Sequence, residues 1–345
     1  MNKVLTIAVP AYNAGWCIEN CLSSLIDERV MDYMEVIVID DGSTDDTFEV
    51  ASAYVYRYPN TFRIIKKENG GHGTAINTAI KEAAGKYFKV VDADDRVITE
   101  NLAPYIDYLR VNDADVVLTH FYTVDISTGR RQKFLTRGLR LDEVYAIDAF
   151  AAFSPAAFKC ATFHGITYLT EFYRSTGLSL PGKVFYEDQE YATSPFAYAR
   201  TVLPLDIFLY EYMLGSDSQS VSDTMQVKKI ADIEKIALDV VDCFNKNSGM
   251  SEGRKRIFIY KICAIIKSYY VVALIKKRDR KAGRRDAVRF RRKLAALNAM
   301  LASRTNRDYN IILLLHYLHI NSDMFQRMKR SSILRFLYGS RKRGA

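Results

Sequence analysis

Residues 86–95 read KYFKVVDADD, and the fold turns on what this run does. Tyr87–Val91 has the length and composition of a strand. Asp92-Ala93-Asp94-Asp95 then sets three carboxylates within four residues at its end. Mutual repulsion makes such a cluster costly unless a cation compensates it. Oxygen donors without Cys or His suit Mg²⁺ or Mn²⁺, ions that keep several waters and bind phosphates. The plain alternative is a solvated acidic turn that caps the next helix. The surrounding sequence decides between the two.

Upstream and downstream, short β-rich runs alternate with helical patterns. Val4–Val9, Val36–Ile39, Phe62–Ile65 and Val116–Leu118 read as strands, and Trp16–Ile26, Thr47–Tyr58, Thr74–Ala84 and Thr99–Asn112 as helices. That alternation predicts an α/β fold with a mainly parallel sheet. Ser43-x-x-Asp46 predicts a capping-box start for the second helix, with Asp45 or Ser43 as the capping side chain. Gly85 predicts a helix stop with positive φ. In such sheets ligands collect beyond the carboxyl ends of the strands, and four strand ends are polar: Pro10-Ala11-Tyr12-Asn13, Asp40-Asp41-Gly42-Ser43, Glu68-Asn69-Gly70-Gly71-His72-Gly73, and the aspartate cluster itself. Their coincidence favours a functional reading of Asp92, Asp94 and Asp95. The Gly70–Gly73 run lets a ligand approach the backbone closely and opens a helix whose N-terminus attracts anions. It is no dinucleotide fingerprint, because it follows the third strand and Ile76 stands where the third glycine belongs. His72 reads as a loop residue or a phosphate contact.

Beyond residue 120 the pattern loosens. Asp125–Gly129 reads as a turn between strands, Glu187–Ala199 as a helix and Thr201–Tyr212 as extended chain, and from 222 onward the chain reads as helical. Ile257–Ile275 is the most apolar stretch, but Lys261 and Lys267 interrupt it, so it reads as a bundle helix rather than a membrane span. Hydrophobic residues at 49% and charged residues at 26% exclude disordered and fibrous classes. Five cysteines, an odd number with no C-x-x-C pair, argue against a disulfide framework or a zinc ribbon. With no signal peptide recognisable at the start, a reducing cytoplasmic setting is expected. Charge is split: residues 251–345 hold 25 Lys/Arg and 5 Asp/Glu, a net +20, against −11 over residues 1–250.

The motifs VPAYN (9–13), VIDDGSTDDT (38–47), ENGGHGTAINTAI (68–80) and GKYFKVVDADD (85–95) stand in an order and spacing that resemble the family 2 glycosyltransferases, which have the GT-A nucleotide-sugar-binding fold. The resemblance covers residues 3–120 strongly. It continues weakly at Phe185-Tyr186-Glu187-Asp188 and at Tyr210-Glu211-Tyr212 with Ser218-Gln219-Ser220. It implies a catalytic domain over residues 1–220, with a nucleotide-sugar half (1–120) and an acceptor half (121–220), followed by a basic helical region (221–345). Pro10, Tyr12, Asp41 and Asn69 would line the nucleotide pocket, with Asp41 facing the base and Gly73 at the approach to the backbone. Asp92 would approach the ribose and Asp94 the metal and diphosphate, with Asp95 an alternative metal ligand. Asp188 would be the catalytic base of an inverting transfer.

The resemblance further implies an Mg²⁺ or Mn²⁺ cofactor, a UDP-sugar donor, and a hydroxyl of a glycan or lipid-linked acceptor in cell-envelope polysaccharide biosynthesis. Processive synthases of the family carry Gln-x-x-Arg-Trp. The sole tryptophan here is Trp16, so single addition is expected. A sugar-1-phosphate nucleotidyltransferase is the alternative enzyme, but its G-x-G-T-R loop is missing after the first strand. A non-catalytic sugar-nucleotide or polyanion binder is the alternative outside enzymes, and retention of Asp188 with the D-x-D argues against it.

Lys276–Lys293 (KKRDRKAGRRDAVRFRRK) sets its cations against two aspartates, and Arg335–Arg343 adds more. Phosphate contacts reward such charge, yet no helix-turn-helix or zinc pattern accompanies it, so no nucleic-acid partner is expected. Basic segments beside apolar helical stretches such as Ile311–Leu318 and Ile333–Tyr338 fit peripheral contact with the anionic inner leaflet of the plasma membrane.

Overall fold

A computed structural model of the chain describes residues 3–215 and 222–330. The Ser218-Gln219-Ser220 segment and the stretches Ile333–Tyr338 and Arg335–Arg343 lie outside these residues. The chain divides into two compact units, one of residues up to Gly215 together with Gly249–Phe258, the other of Ser216–Ser248 and Ile259 onward.

The first unit is built on one sheet: β1 (Leu5–Ala11), β2 (Met34–Asp40), β3 (Phe62–Lys66), β4 (Tyr87–Val90), β5 (Arg96–Val97), β6 (Val116–Asp125), β7 (Arg131–Phe134), β8 (Tyr145–Ala146), β9 (Ile166–Leu169) and β10 (Thr201–Leu214). Every residue of β1, β2 and β4 is buried. Helices cover both faces of such strands, which is why these segments read as almost unbroken apolar runs. The order is β3-β2-β1-β4-β9-β6-β10-β5, with β7 on β6 and β8 on β10. The β3-β2-β1-β4 half is parallel, and so is the long β6–β10 pairing. Between these two parallel sets, β9 runs antiparallel to both neighbours. The chain leaves β1 towards β2 on one side and β4 on the other, a switch point that opens a crevice at the strands' carboxyl ends.

The connecting helices are α1 (Ile18–Ser24), α2 (Thr47–Arg57), α3 (His72–Glu82), α4 (Leu102–Val111), α5 (Ile147–Ala152), α6 (Thr170–Ser175) and α7 (Glu187–Thr193). The helix expected over 187–199 gives way after Thr193 to a 3₁₀ turn, Ser194–Ala197, because Pro195 cannot continue the α-helical ladder. Two local expectations are corrected. Ser43 forms no capping box, since its hydroxyl accepts from the Asn13 N–H, and of the two candidate caps it is Asp45 whose carboxylate takes the Thr47 N–H and hydroxyl. Gly85 is not a left-handed stop, since α3 ends at Glu82. A Cβ there would lie 2.3 Å from the Thr6 amide nitrogen, so glycine is needed for close approach to β1.

The second unit is helical: α8 (Asp223–Lys228), α9 (Ile230–Lys246), the residues of α10 (Glu252–Val271) from Ile259, then α11 (Arg280–Leu297), α12 (Ala299–Tyr317) and α13 (Ser322–Arg330). Ile236, Val240, Ile262, Ile266, Phe290 and Leu315 form its buried interior. The Tyr269 and Phe290 ring centres lie 4.1 Å apart within it. Glu252–Lys276 is long and apolar enough to cross a membrane by length and composition, and 67% of its apolar window is buried inside the protein.

Candidate active site

The loops after β1, β2 and β3 are stitched together by side-chain-to-backbone bonds. Asn13, in the left-handed region at φ 50°, accepts from the Thr44 N–H through Oδ1 (2.8 Å). Pro10 is buried in β1 opposite Ile39. Tyr12 stands 53% exposed on the loop beyond. Asp41 is buried, and its carboxylate accepts from the amides of Gly70 (3.0 Å) and Gly71 (2.7 Å) and from Lys67 Nζ. It therefore holds the β3–α3 loop, with exposed Asn69 at its edge. A carboxylate at that position takes up amides that would otherwise face solvent at the helix start.

Gly73, expected to let a ligand approach the backbone, is approached by the chain itself. A Cβ there would stand 2.6 Å from the Pro181 carbonyl oxygen and 3.1 Å from Glu187 Cγ. The same 180–187 segment is pinned by the Lys183 N–H to the Gly70 carbonyl (2.9 Å). Asn77 bonds both the N–H and the carbonyl of Leu180. These glycines thus dock the 180–187 segment onto the N-terminus of α3.

Docking brings Glu187 to His72. The imidazole spans two carboxylates, with Nδ1 2.6 Å from Glu187 Oε1 and Nε2 2.9 Å from Asp92 Oδ1. Burial works against a charge on the ring, but the two acidic partners outweigh it and raise the pKa well above the ordinary histidine value. Asp188, one residue on, is the group expected to act as base. Burial first, then the neighbouring Glu187 and Asp92 carboxylates, push its pKa up to about 7, against a lowering hydrogen bond from Gln189. A carboxylate titrating there accepts a proton readily near neutral pH.

Asp92 and Asp94 are half-buried and Asp95 is 1% exposed. Asp95 accepts from the Tyr210 hydroxyl (2.5 Å) and the Met213 N–H (2.7 Å), and Tyr210 also accepts from the Asp92 N–H (3.2 Å). Burial and the Asp92 and Asp94 charges raise its pKa well above the carboxylate range despite these bonds. Asp92, Asp95 and His164 each present a ligand atom, all within 4.8 Å of one another. Burial pushes the His164 pKa down to about 4, so the ring is neutral with a lone pair to give. Two carboxylates and an imidazole fit a divalent cation, which supplies the positive charge that Asp95 lacks.

Sequence reasoning missed three groups. His164 sits alone in a 3₁₀ turn, Phe163–Gly165, and stacks on Tyr212 at 4.1 Å. Glu187 had no role beyond its place beside Asp188. Lys89, fully buried in β4, points Nζ at the His164 carbonyl (2.8 Å) and over the Tyr210 ring (5.3 Å). A cation in an apolar strand was its one visible signal.

Residues 6–167 match the family described as glycosyl transferase family 2. They are a family 2 glycosyltransferase domain. The glycosyltransferase GlyG of Streptococcus pneumoniae serotype 4 is 32% identical over 137 residues, 39% of this chain and 45% of that protein. The poly(ribitol-phosphate) beta-glucosyltransferase of Bacillus spizizenii is 36% identical over 117 residues, 33% of this chain and 18% of that protein. The chain thus spans less than half the length of these curated relatives. The crystal structure of S. aureus TarS 1–349 in complex with UDP-GlcNAc superposes with a TM-score of 0.59 at 18% identity, covering 92% of both chains. At that identity the likeness speaks for fold alone, and the glycosyltransferase domain shares the GT-A architecture with a helical region following it.

Proposed function

We propose that the chain is an inverting, single-addition glycosyltransferase that moves a sugar from a nucleotide diphosphate donor, a UDP-sugar, to a hydroxyl of a glycan or lipid-linked acceptor. One observation carries this reading: a carboxylate with its pKa raised to about 7, Asp188, stands beside the His72 bridge to Asp92 at the end of the D-x-D strand. The TarS structure holds UDP-GlcNAc, which supports a UDP donor. The Bacillus relative acts, by its name, on poly(ribitol-phosphate), which supports a cell-envelope polymer as acceptor.

Pro10, Tyr12, Asn69 and the loop held by Asp41 receive the nucleotide, with Gly73 fixing how that loop meets the acceptor half. Asp92 orients the ribose. Asp94 and Asp95, with Asp92 and His164 beside them, would hold an Mg²⁺ or Mn²⁺ ion. That cation, when bound, supplies the charge that stabilises the departing diphosphate, where a glycosidase needs a protein acid. Asp188 takes the proton of the acceptor hydroxyl as its oxygen bonds to the anomeric carbon. The bond from that carbon to the diphosphate oxygen breaks on the opposite face, which inverts the centre. Tyr210 and Met213 keep Asp95 in place during the exchange. The setting is the cytoplasm at the inner face of the plasma membrane, with the basic C-terminal helices as the contact and no nucleic-acid partner.

The test is a panel of nucleotide diphosphates, with and without Mn²⁺, read by thermal shift, followed by donor hydrolysis. Cation-assisted stabilisation by UDP, and UDP-sugar turnover lost in Asp94→Ala, is the expected result. Indifference to every nucleotide sinks the reading.

A further inference from the structure

On α11 the residues Lys281, Arg285, Arg289 and Arg292 recur at intervals of four, four and three, so they form one stripe along a helical face, with Arg284 and Lys293 flanking it on either side. The stripe with its flanks is about 18 Å long at 1.5 Å per residue. The opposite face buries Gly283, Ala287, Phe290 and Leu294, which fixes the stripe outward. Arg289 and Lys293 are engaged by Glu234 at 3.2 and 2.7 Å. Among the described residues, Lys281, Arg284, Arg285 and Arg292 form no ion pair. Four like charges on one face repel one another, and an anionic surface laid against them removes that repulsion.

A second observation lies beside the first. Tyr317 lines the same cleft as the stripe, with the Arg284 guanidinium 5.8 Å from its ring centre. Tyr317 is 59% exposed, and its neighbours Leu314 and Leu318 are 56% and 61% exposed. At spacing i, i+3 and i+4, Leu314 and Tyr317 of α12 and its C-cap residue Leu318 form an apolar ridge at the end of the helix. Exposed apolar ridges of this kind mark contact sites. A dissolved polyanion would pair with the cations and leave the ridge in water. An anionic bilayer takes both, the cations at the headgroups and the ridge at the acyl boundary.

We propose that the Lys281–Lys293 face of α11, with Leu314 and Tyr317 of α12 and Leu318 at its C-terminal end, is the surface by which this protein docks on an anionic lipid bilayer. The assignment rests on the reading of the chain as an enzyme at the inner membrane face and names the face that makes the contact.

The test is co-sedimentation of the full chain with vesicles of roughly 30% phosphatidylglycerol in phosphatidylcholine, against phosphatidylcholine alone, with inorganic polyphosphate as competitor. Lys281→Glu/Arg285→Glu/Arg292→Glu is expected to lower partitioning about a hundredfold, at roughly fivefold per lost cation. Leu314→Ser/Leu318→Ser is expected to lower it several-fold with charge unchanged. Circular dichroism checks that both variants fold. Wild-type partitioning by either variant overturns the assignment. So does full release by polyphosphate with the leucines dispensable, which makes the stripe a polyanion site. UDP-sugar hydrolysis in solution is measured in parallel: its survival while docking fails leaves glycosyl transfer standing, and vesicle binding that survives both variants leaves the membrane setting standing and moves the contact elsewhere.

Discussion

His72 Nδ1 lies 2.6 Å from Glu187 Oε1 while His72 Nε2 lies 2.9 Å from Asp92 Oδ1. One imidazole thus ties the helix carrying the expected base to the strand end carrying the D-x-D. Replacing it by His72→Phe keeps the volume and removes both bonds, leaving Glu187, 4% exposed, without this partner. A loss of about 1–3 kcal/mol in unfolding free energy is expected. A fall in kcat with donor KM nearly unchanged is expected alongside it. Steady-state kinetics on the folded variant decides, and a change confined to donor KM removes the bridge from the alignment of Asp188.

Asp188→Asn should leave nucleotide affinity intact and lower kcat by about 10²–10⁴, the range for loss of a positioned base. The pH profile follows from the same group. Proton abstraction needs the carboxylate, and the folded-state pKa is raised to about 7. Log kcat/KM should therefore rise with pH below 7 and level off above it, with that limb absent from Asp188→Asn. A flat profile from pH 5 to 8 (roughly the span over which such a limb is visible) takes Asp188 out of the base role.

Asp94→Ala tests the cation. In the presence of Mn²⁺ the wild type should bind UDP more tightly than in EDTA. The variant should show one weak affinity in both, because a carboxylate that draws the cation is gone. Isothermal titration reads this directly, and an unchanged Mn²⁺ dependence assigns the ion to Asp92, Asp95 and His164 without Asp94.

Much of this was legible beforehand, for physical reasons. β1, β2 and β4 are buried on both faces, so their runs stand out against polar loops. The D-x-D advertises itself by the cost of clustered charge. His164 could not be found that way, because a lone histidine in a short turn carries no spacing. Antiparallel β9 is four residues long and lacks alternation, so its place between β4 and β6 is set by tertiary pairing. The glycines show the same limit, since in the sequence Gly73 reads as room for a ligand and Gly85 as a left-handed helix stop. Gly73 and Gly85 instead make room for Pro181 and Thr6, partners 108 and 79 residues distant in the chain.

Gly73→Ala follows from that last point. The new Cβ would sit 2.6 Å from the Pro181 carbonyl, a backbone atom that cannot swing aside. Overpacking of this kind costs about 1–3 kcal/mol. The strain falls on the 180–187 segment, so acceptor KM should rise more than donor KM. Equal rises in both KM values would place the strain on the nucleotide side of α3.

Lys89→Met tests the buried cation beneath the site. Desolvation lowers the Lys89 pKa in the folded protein from 10.5 to about 7. Between these values the unfolded chain holds a proton that the folded chain has released. Stability should therefore rise with pH across that window, by up to about 1.4 kcal/mol per pH unit from this group. Below pH 7 the folded protein carries a buried ammonium, held by the His164 and Ile166 carbonyls and the Tyr210 ring. Methionine fills similar volume without charge, so the variant should lose that slope and gain most over the wild type at the acid end. Guanidinium melts from pH 6 to pH 10 in EDTA (roughly the titration window) check both signs. Parallel stability curves for the two proteins would mean that Lys89 stays charged throughout, its carbonyl and ring contacts compensating the lost hydration.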